Sequence, residues 1–150
     1  MPDQQRMVWE VRCVERHTVT SLPSPPGFPD VEDLVVQYLS SRSELAGVPV
    51  GIELPAGYDG TSPLVRVSRV GGRYSQDDGL DLALIRIDSY GPDQRAAHRL
   101  ALTVRGLLWV MPVPDLVEER GPHWLPDSTH NHAARYMARY QLTIPVPVTG

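Results

Sequence analysis

Proline divides this chain into two parts of different character. Four of its 15 prolines fall between Thr20 and Pro29. A segment this rich in proline lacks the amide donors of a β-ladder and favours the extended polyproline II conformation. We therefore expect residues 1–29 to form an extended arm and residues 30–150 to form the folded domain. A domain of that length can bury one hydrophobic core without disulfides or metals.

The arm carries a strand pattern of its own. Apolar and polar residues alternate from Met7 to Cys13, with Trp9 and Val11 on the apolar side. Ordering a chain terminus costs conformational entropy, so these side chains need an apolar surface to pack against. We predict that Trp9 and Val11 belong to an interface and that the arm docks on a neighbouring chain.

The domain begins with a helical pattern. Asp30 suits the N-cap position, and apolar residues follow at helical spacing from Val31 to Leu39. Gly47 and Pro49 are the predicted stop.

A second helix is predicted between two prolines. Pro92 suits its first turn, and Pro112 ends it. Its apolar stripe consists of Ala97, Leu100, Ala101, Val104, Leu107, Leu108 and Met111. Trp109 lies next to this stripe, and we expect it in the core.

Four segments have the composition of strands. They are Val50–Leu54, Leu64–Val70, Leu80–Tyr90 and the alternating segment Tyr136–Val148. Gly71 and Gly72 should break the second of them. The segment 114–126 is predicted to be loop, with at most a short strand at Leu116–Glu119. Pro145 and Pro147 lack amide donors on one side of the last strand, which predicts that its end is a sheet edge on that side or leaves the sheet.

The order arm–α–β–β–β–α–β predicts an α+β fold. We expect a two-layer domain in which a mostly antiparallel, four- to five-stranded sheet carries two helices on one face.

No residue pattern indicates catalysis, cofactor binding or a metal site. His130 and His132 lie two residues apart in a polar loop, without the cysteine or glutamate-bearing helix that would complete a zinc site. Asp77 and Asp78 lack the spacing of a calcium loop. A small metal-dependent hydrolase that uses the two histidines remains an alternative, which metal analysis would test.

Candidate interface residues lie in two loops. The polar segment Arg73–Gly79 is too long for a tight hairpin turn, and long ordered loops are usually functional, so Arg73, Tyr74, Asp77 and Asp78 are assigned to an interface. Trp124 lies in a predicted loop, where it either covers the sheet or contacts a partner.

Composition limits the possible partners. The net charge is −4, which argues against a protein that wraps nucleic acid. The longest apolar run is too short to span a bilayer, and the first residues lack the apolar run of a signal peptide. We expect assembly in a cytoplasm, without membrane contact.

Four segments of this sequence resemble a known family, in their order and spacing. They are Phe28–Leu39 (FPDVEDLVVQYL), Pro63–Gly72 (PLVRVSRVGG), Ile87–Gly91 (IDSYG) and Gly121–Asp127 (GPHWLPD). The chain is similar over about residues 28–148 to tail terminator proteins of long-tailed, siphovirus-type actinobacterial bacteriophages.

The resemblance implies a structural role in the virion and no cofactor. It implies a homo-oligomeric ring, usually of six copies, seated on the major tail tube protein and joined to a head-closure or neck protein. DNA would pass through the channel without specific binding. Another neck connector, such as a head-closure or tail-completion protein, is the alternative within the same class.

Overall fold

We describe the fold from a computed structural model, in which Leu22 and residues 25–147 are described. One unit runs from Phe28 to Pro147. Its elements are α1 (Val31–Ser40), a 3-10 turn (Ser43–Leu45), β1 (Val50–Gly51), β2 (Leu64–Ser75), β3 (Leu80–Gly91), α2 (Gln94–Trp109), β4 (Asp115–Trp124) and β5 (Ala134–Pro145). The predicted strand Met7–Cys13 lies outside the described residues.

The five strands form one sheet in the order β1-β2-β3-β5-β4. β1 pairs with β2 in parallel, and the other three pairs of neighbours are antiparallel. Side chains from both helices share a single core with β2, β3 and β5. The Tyr38 hydroxyl of α1 donates to the Leu107 carbonyl of α2 at 2.6 Å. Both helices therefore cover the same face, and the predicted α+β fold is confirmed.

Core residues alternate along the strands, because successive side chains of a strand point to opposite faces of the sheet. The side chains that the three central strands contribute to the core shared with the helices are Val65, Val67, Ala83, Ile85, Ile87, Ala138, Tyr140, Leu142 and Ile144. Each Val, Leu or Ile among them contributes about 1.5–3 kcal/mol when it is fully buried. Within residues 25–147, neither helix combines the length and the apolar composition needed to cross a bilayer.

Helix α1 starts where its sequence predicts and ends earlier. The Asp30 carboxylate accepts a hydrogen bond from the Asp33 amide at 3.1 Å, as an N-cap should. The helix ends at Ser40 instead of continuing toward Gly47. The Ser41 hydroxyl donates to the Tyr38 carbonyl at 2.7 Å, which satisfies a carbonyl of the last turn. A 3-10 turn then leads to β1.

Helix α2 differs from the prediction at both ends. Asp93 is the N-cap, and its carboxylate accepts from the Ala96 amide at 2.8 Å, so Pro92 lies before the helix. The last helical residue is Trp109, ahead of Pro112. The prediction that Trp109 lies in the core is wrong, because its side chain is 73% exposed. Leu108 faces the sheet, and the next helical position is turned about 100° away from it.

The two glycines after Val70 do not break the second strand. β2 continues to Ser75, and its register with β3 shifts between Arg69 and Gly71, as in a β-bulge. Gly72 has φ +111°, which other residues rarely adopt. The hairpin loop is therefore only Gln76–Gly79, shorter than the predicted tip.

The two outer strands differ most from the sequence prediction. β1 has two residues instead of the predicted five, and the predicted loop 114–126 contains the ten-residue strand β4. β4 is polar and half exposed, and its register with β5 shifts twice, so its pattern lacks alternation. Its pairing with β5 ends at Thr143, and Pro145 pairs only with β3. The predicted sheet edge beside Pro145 is confirmed.

Candidate functional site

The β2–β3 hairpin forms one end of the sheet. Arg73 and Tyr74 are paired with β3, and Asp77 and Asp78 are exposed in the turn. The Ser75 hydroxyl donates to the Asp78 carboxylate at 3.1 Å and orders the turn. Four of the predicted interface residues therefore do lie together.

The Tyr74 ring also marks where the domain begins. Its centroid lies 4.9 Å from that of Phe28, in an edge-to-face arrangement. Phe28 was assigned to the arm by its neighbouring prolines, yet it contacts the domain. The chain therefore enters the domain beside the hairpin.

Trp124 lies at the end of β4, where its side chain is 40% exposed. Its ring contacts Tyr136 at a centroid distance of 5.5 Å, and Tyr136 stacks on His98 of α2 at 4.6 Å. Gln94, Arg95, His98 and Tyr136 line an open groove of about 340 Å³. The ring therefore packs against Tyr136 in its own domain, and contact with a partner through its exposed part stays a prediction.

The predicted interface residues form two separate surfaces. Leu80, next to the hairpin turn, and Ser89, opposite Tyr136, are nine positions apart on β3. That separation is about 30 Å at the rise of an antiparallel strand. Trp9 and Val11 lie outside the described residues.

A third surface was missed by the sequence prediction. Leu102, Arg105, Gly106 and Trp109 line a shallow groove of about 370 Å³ on the outer side of α2. Leu102 and Trp109 are exposed there, next to exposed Val110. The spacing Leu102, Gly106 and Trp109 defines a second helical stripe, which could have been found by testing positions outside the core stripe.

The comparison with known families decides the class of this protein. Residues 27–131 match the family model described as phage tail termination protein. The chain belongs to this family. No curated protein matches the chain.

Membership of this family implies a structural role. The phage tail termination proteins are structural tail proteins and do not constitute an enzyme class. A member is a component of the virion, and it contacts other tail or neck proteins of the phage. The exposed ends and the outer side of α2 are therefore candidate contact surfaces for such neighbours.

The histidine segment of this tail termination protein supports the sheet. Asp127 is buried, and its carboxylate accepts a hydrogen bond from the Tyr90 hydroxyl at 2.6 Å. Thr129 donates to the same carboxylate, and the His130 ring contacts it at 2.9 Å. His132 is exposed. Residues 128–132 form a turn, as the predicted polar loop requires, and the His130 side chain is 37% exposed beside its contact with Asp127.

Hydrogen-bond donors around Asp127 stabilise its charged carboxylate. Burial raises the pKa of Asp127, but hydrogen bonds from Tyr90 and Thr129 and the charge of Arg135 outweigh it and hold that pKa well below its usual range. Burial and the bond to Asp127 raise the pKa of Tyr90. Among the described residues, no group of three or more His, Cys, Asp and Glu side chains is arranged to hold a metal ion.

The face of the sheet opposite the two helices, called here the helix-free face, carries Arg66, Arg86 and Arg139. These arginines are paired with carboxylates. Asp88 is fully buried and accepts from both Arg66 and Arg86, with closest distances of 3.0 Å. Arg139 lies 2.9 Å from Glu119 across β4 and β5. These pairs partly neutralise a face that its arginines would otherwise make strongly basic.

Proposed function

We propose that this chain forms a closed ring that ends the tail tube of a long-tailed phage and joins it to the head. The ring has six copies and seats on the last ring of the major tail tube protein. Its other side receives a head-closure or neck protein. Membership of the tail termination family carries this proposal, because that role requires two different contact surfaces on each copy.

Unlike surfaces at the two ends of the sheet support a ring, because a ring closes through contacts between different surfaces of adjacent copies. The acidic hairpin turn lies at one end, and Trp124 with its groove lies about 30 Å away at the other. A ring with unlike sides ends growth in a simple way. One side binds the open tube, and the opposite side lacks the surface that another tube subunit requires, so addition stops and the head docks.

The charge distribution supports passage of DNA without specific binding. The chain has a net charge of −4, and three arginines of the helix-free face are paired with Asp88 and Glu119. Phosphate contacts dominate the affinity of proteins for DNA, and arginines paired with carboxylates contribute little to such contacts. A channel built from these surfaces would let DNA slide.

The arm, residues 1–29, supplies a further contact in this proposal. Its apolar residues Trp9 and Val11 pack on a neighbouring copy or on a neighbouring protein of the neck. The chain enters the domain beside the hairpin, at Phe28. A polyproline II segment of 14 residues is about 43 Å long, so a linker of that length is enough to reach a neighbour.

An electron-microscopy reconstruction of the virion neck tests the proposal. We expect density for this chain as a symmetric ring directly on the last tube ring. Density at the portal side of the neck, separated from the tube by another protein, would assign it instead to head closure. A single copy bound asymmetrically would exclude a ring.

A further inference from the structure

The groove beside Trp124 has the composition of a protein-binding site for an acidic segment. Trp, Tyr and Arg are enriched among residues that dominate binding energy at interfaces, and Trp124, Tyr136 and Arg95 lie together here. Helix α2 contains three arginines and one histidine but no acidic residue. The Asp93 carboxylate, just before α2, is engaged with the Ala96 amide. The groove therefore favours a negatively charged occupant.

The hairpin turn has the opposite charge and a suitable shape. Gln76–Gly79 contains two aspartates and no basic residue, and both carboxylates are exposed. The turn is four residues long and is ordered by the bond between Ser75 and Asp78. A groove of about 340 Å³ is at the small end of ligand sites, so it suits a tight turn better than a folded surface.

The turn and the groove of one chain cannot meet each other. They lie about 30 Å apart, at opposite ends of the same rigid sheet. Two complementary surfaces at opposite ends of a subunit produce a head-to-tail contact between copies, which is the kind of interface that closes a ring.

We propose that the hairpin turn of each copy docks in the Arg95–Tyr136 groove of the next copy around the ring. This inference rests on the proposed ring. The Asp77 and Asp78 carboxylates face the Arg95 guanidinium, which can donate two parallel hydrogen bonds to one carboxylate. The backbone of the turn lies against the Tyr136 and Trp124 rings. This contact sets the order of copies in the ring.

Crosslinking in assembled particles tests the contact directly. The chain carries Gln76→Cys in the turn and Gln94→Cys in the groove lining, which leave Asp77 and Arg95 in place, and Cys13→Ser removes the native thiol. Phage that lack the gene are complemented with this variant, and the particles are treated with a short bismaleimide, which tolerates distances beyond the roughly 7 Å limit of a disulfide. We expect a ladder of oligomers whose largest member is the full ring. Each variant with only one of the two cysteines should run as a monomer after crosslinking. A ladder from either of them would contradict the contact between the turn and the groove.

Charge reversal tests the same contact without crosslinking. Asp77→Arg and Arg95→Glu should each lower the fraction of particles with normal tails by about tenfold, and the double variant should restore it to within about threefold. Arg99→Glu is the matched control, since it makes the same charge change on α2 outside the groove lining, and it should have little effect.

The outcomes separate this contact from the proposed function. Abnormal tails without the protein, combined with no ladder and no rescue by the double variant, would leave termination standing and overturn the contact. An Arg95→Glu defect that Asp77→Arg does not rescue would assign the groove to another anionic partner, such as DNA phosphate, and would also overturn it. Normal tails without the protein would overturn the proposed function itself.

Discussion

Replacing Gly72 by alanine should destabilise the domain strongly, because its backbone and its surroundings both exclude a side chain. Its φ of +111° costs another residue about 1–3 kcal/mol. An added Cβ would lie 2.1 Å from the Leu82 carbonyl oxygen and 2.9 Å from the Leu84 amide nitrogen. These are backbone atoms of β3, which can yield only if the strands separate, at a further cost of about 1–3 kcal/mol.

Together these effects predict a loss of about 3 kcal/mol or more, or a fall in Tm of roughly 6–12 °C for a chain of this size. Thermal and urea unfolding of the purified protein measure it. Gly71→Ala is the matched control, since its Cβ would meet only the Leu84 side chain, at an ordinary 3.7 Å. We expect that variant within about 0.5 kcal/mol of wild type. Equal stability of the two variants would refute the bulge geometry on which the reasoning depends.

Three further variants have defined outcomes. Asp127→Asn should cost about 1.5–3 kcal/mol at neutral pH. Because the folded pKa of Asp127 is well below its unfolded value, its contribution is complete above about pH 4 and shrinks as pH falls from there toward the folded pKa; a urea-measured difference that is as large at about pH 2 as at pH 7 would contradict this. Ser89 is buried, and its hydroxyl has no hydrogen-bond partner in residues 25–147, so Ser89→Ala should raise Tm by up to about 4 °C, whereas a lower Tm would indicate a missed partner. His130→Ala with His132→Ala should leave tail assembly nearly intact, and loss of a stoichiometric metal on this change would overturn the structural role.

Local sequence patterns correctly predicted the elements that depend on a single local interaction. Asp30 caps α1 as its residue type suggests, and the alternation around Tyr140 places β5 in the core with the correct face inward. The edge beside Pro145 follows from the missing amide donor alone. Each of these depends on residues close together in sequence, so the sequence contains the information.

Elements that depend on distant partners were predicted less well. Gly71 and Gly72 normally interrupt a strand, but pairing with β3 carries β2 across them through a bulge. β4 has no alternation to detect, because two register shifts change which side chains face the helices. Trp109 is exposed because α2 presents Leu107 and Leu108 to the sheet instead. Tertiary pairing overrides local preference in all three cases.

The sequence predicted only part of the candidate contact surfaces. Charge and loop composition selected the hairpin turn, which is exposed, and left Trp124 open between covering the sheet and contacting a partner. The groove beside Trp124 also needs His98 and Arg95, which lie about 30 positions away on α2. Only the packing of α2 against β5 brings them next to Tyr136. No local sequence pattern indicates that these residues are neighbours in the fold.

Tail length in the absence of the protein tests the central claim most directly. The gene is deleted from the phage, the host is infected, and the lysate is examined by electron microscopy for tail length and head attachment. If this chain ends the tube, the lysate contains DNA-filled heads without tails and separate tails of abnormal length, and a plasmid copy of the gene restores uniform virions. Uniform tails attached to heads without the protein would contradict the account.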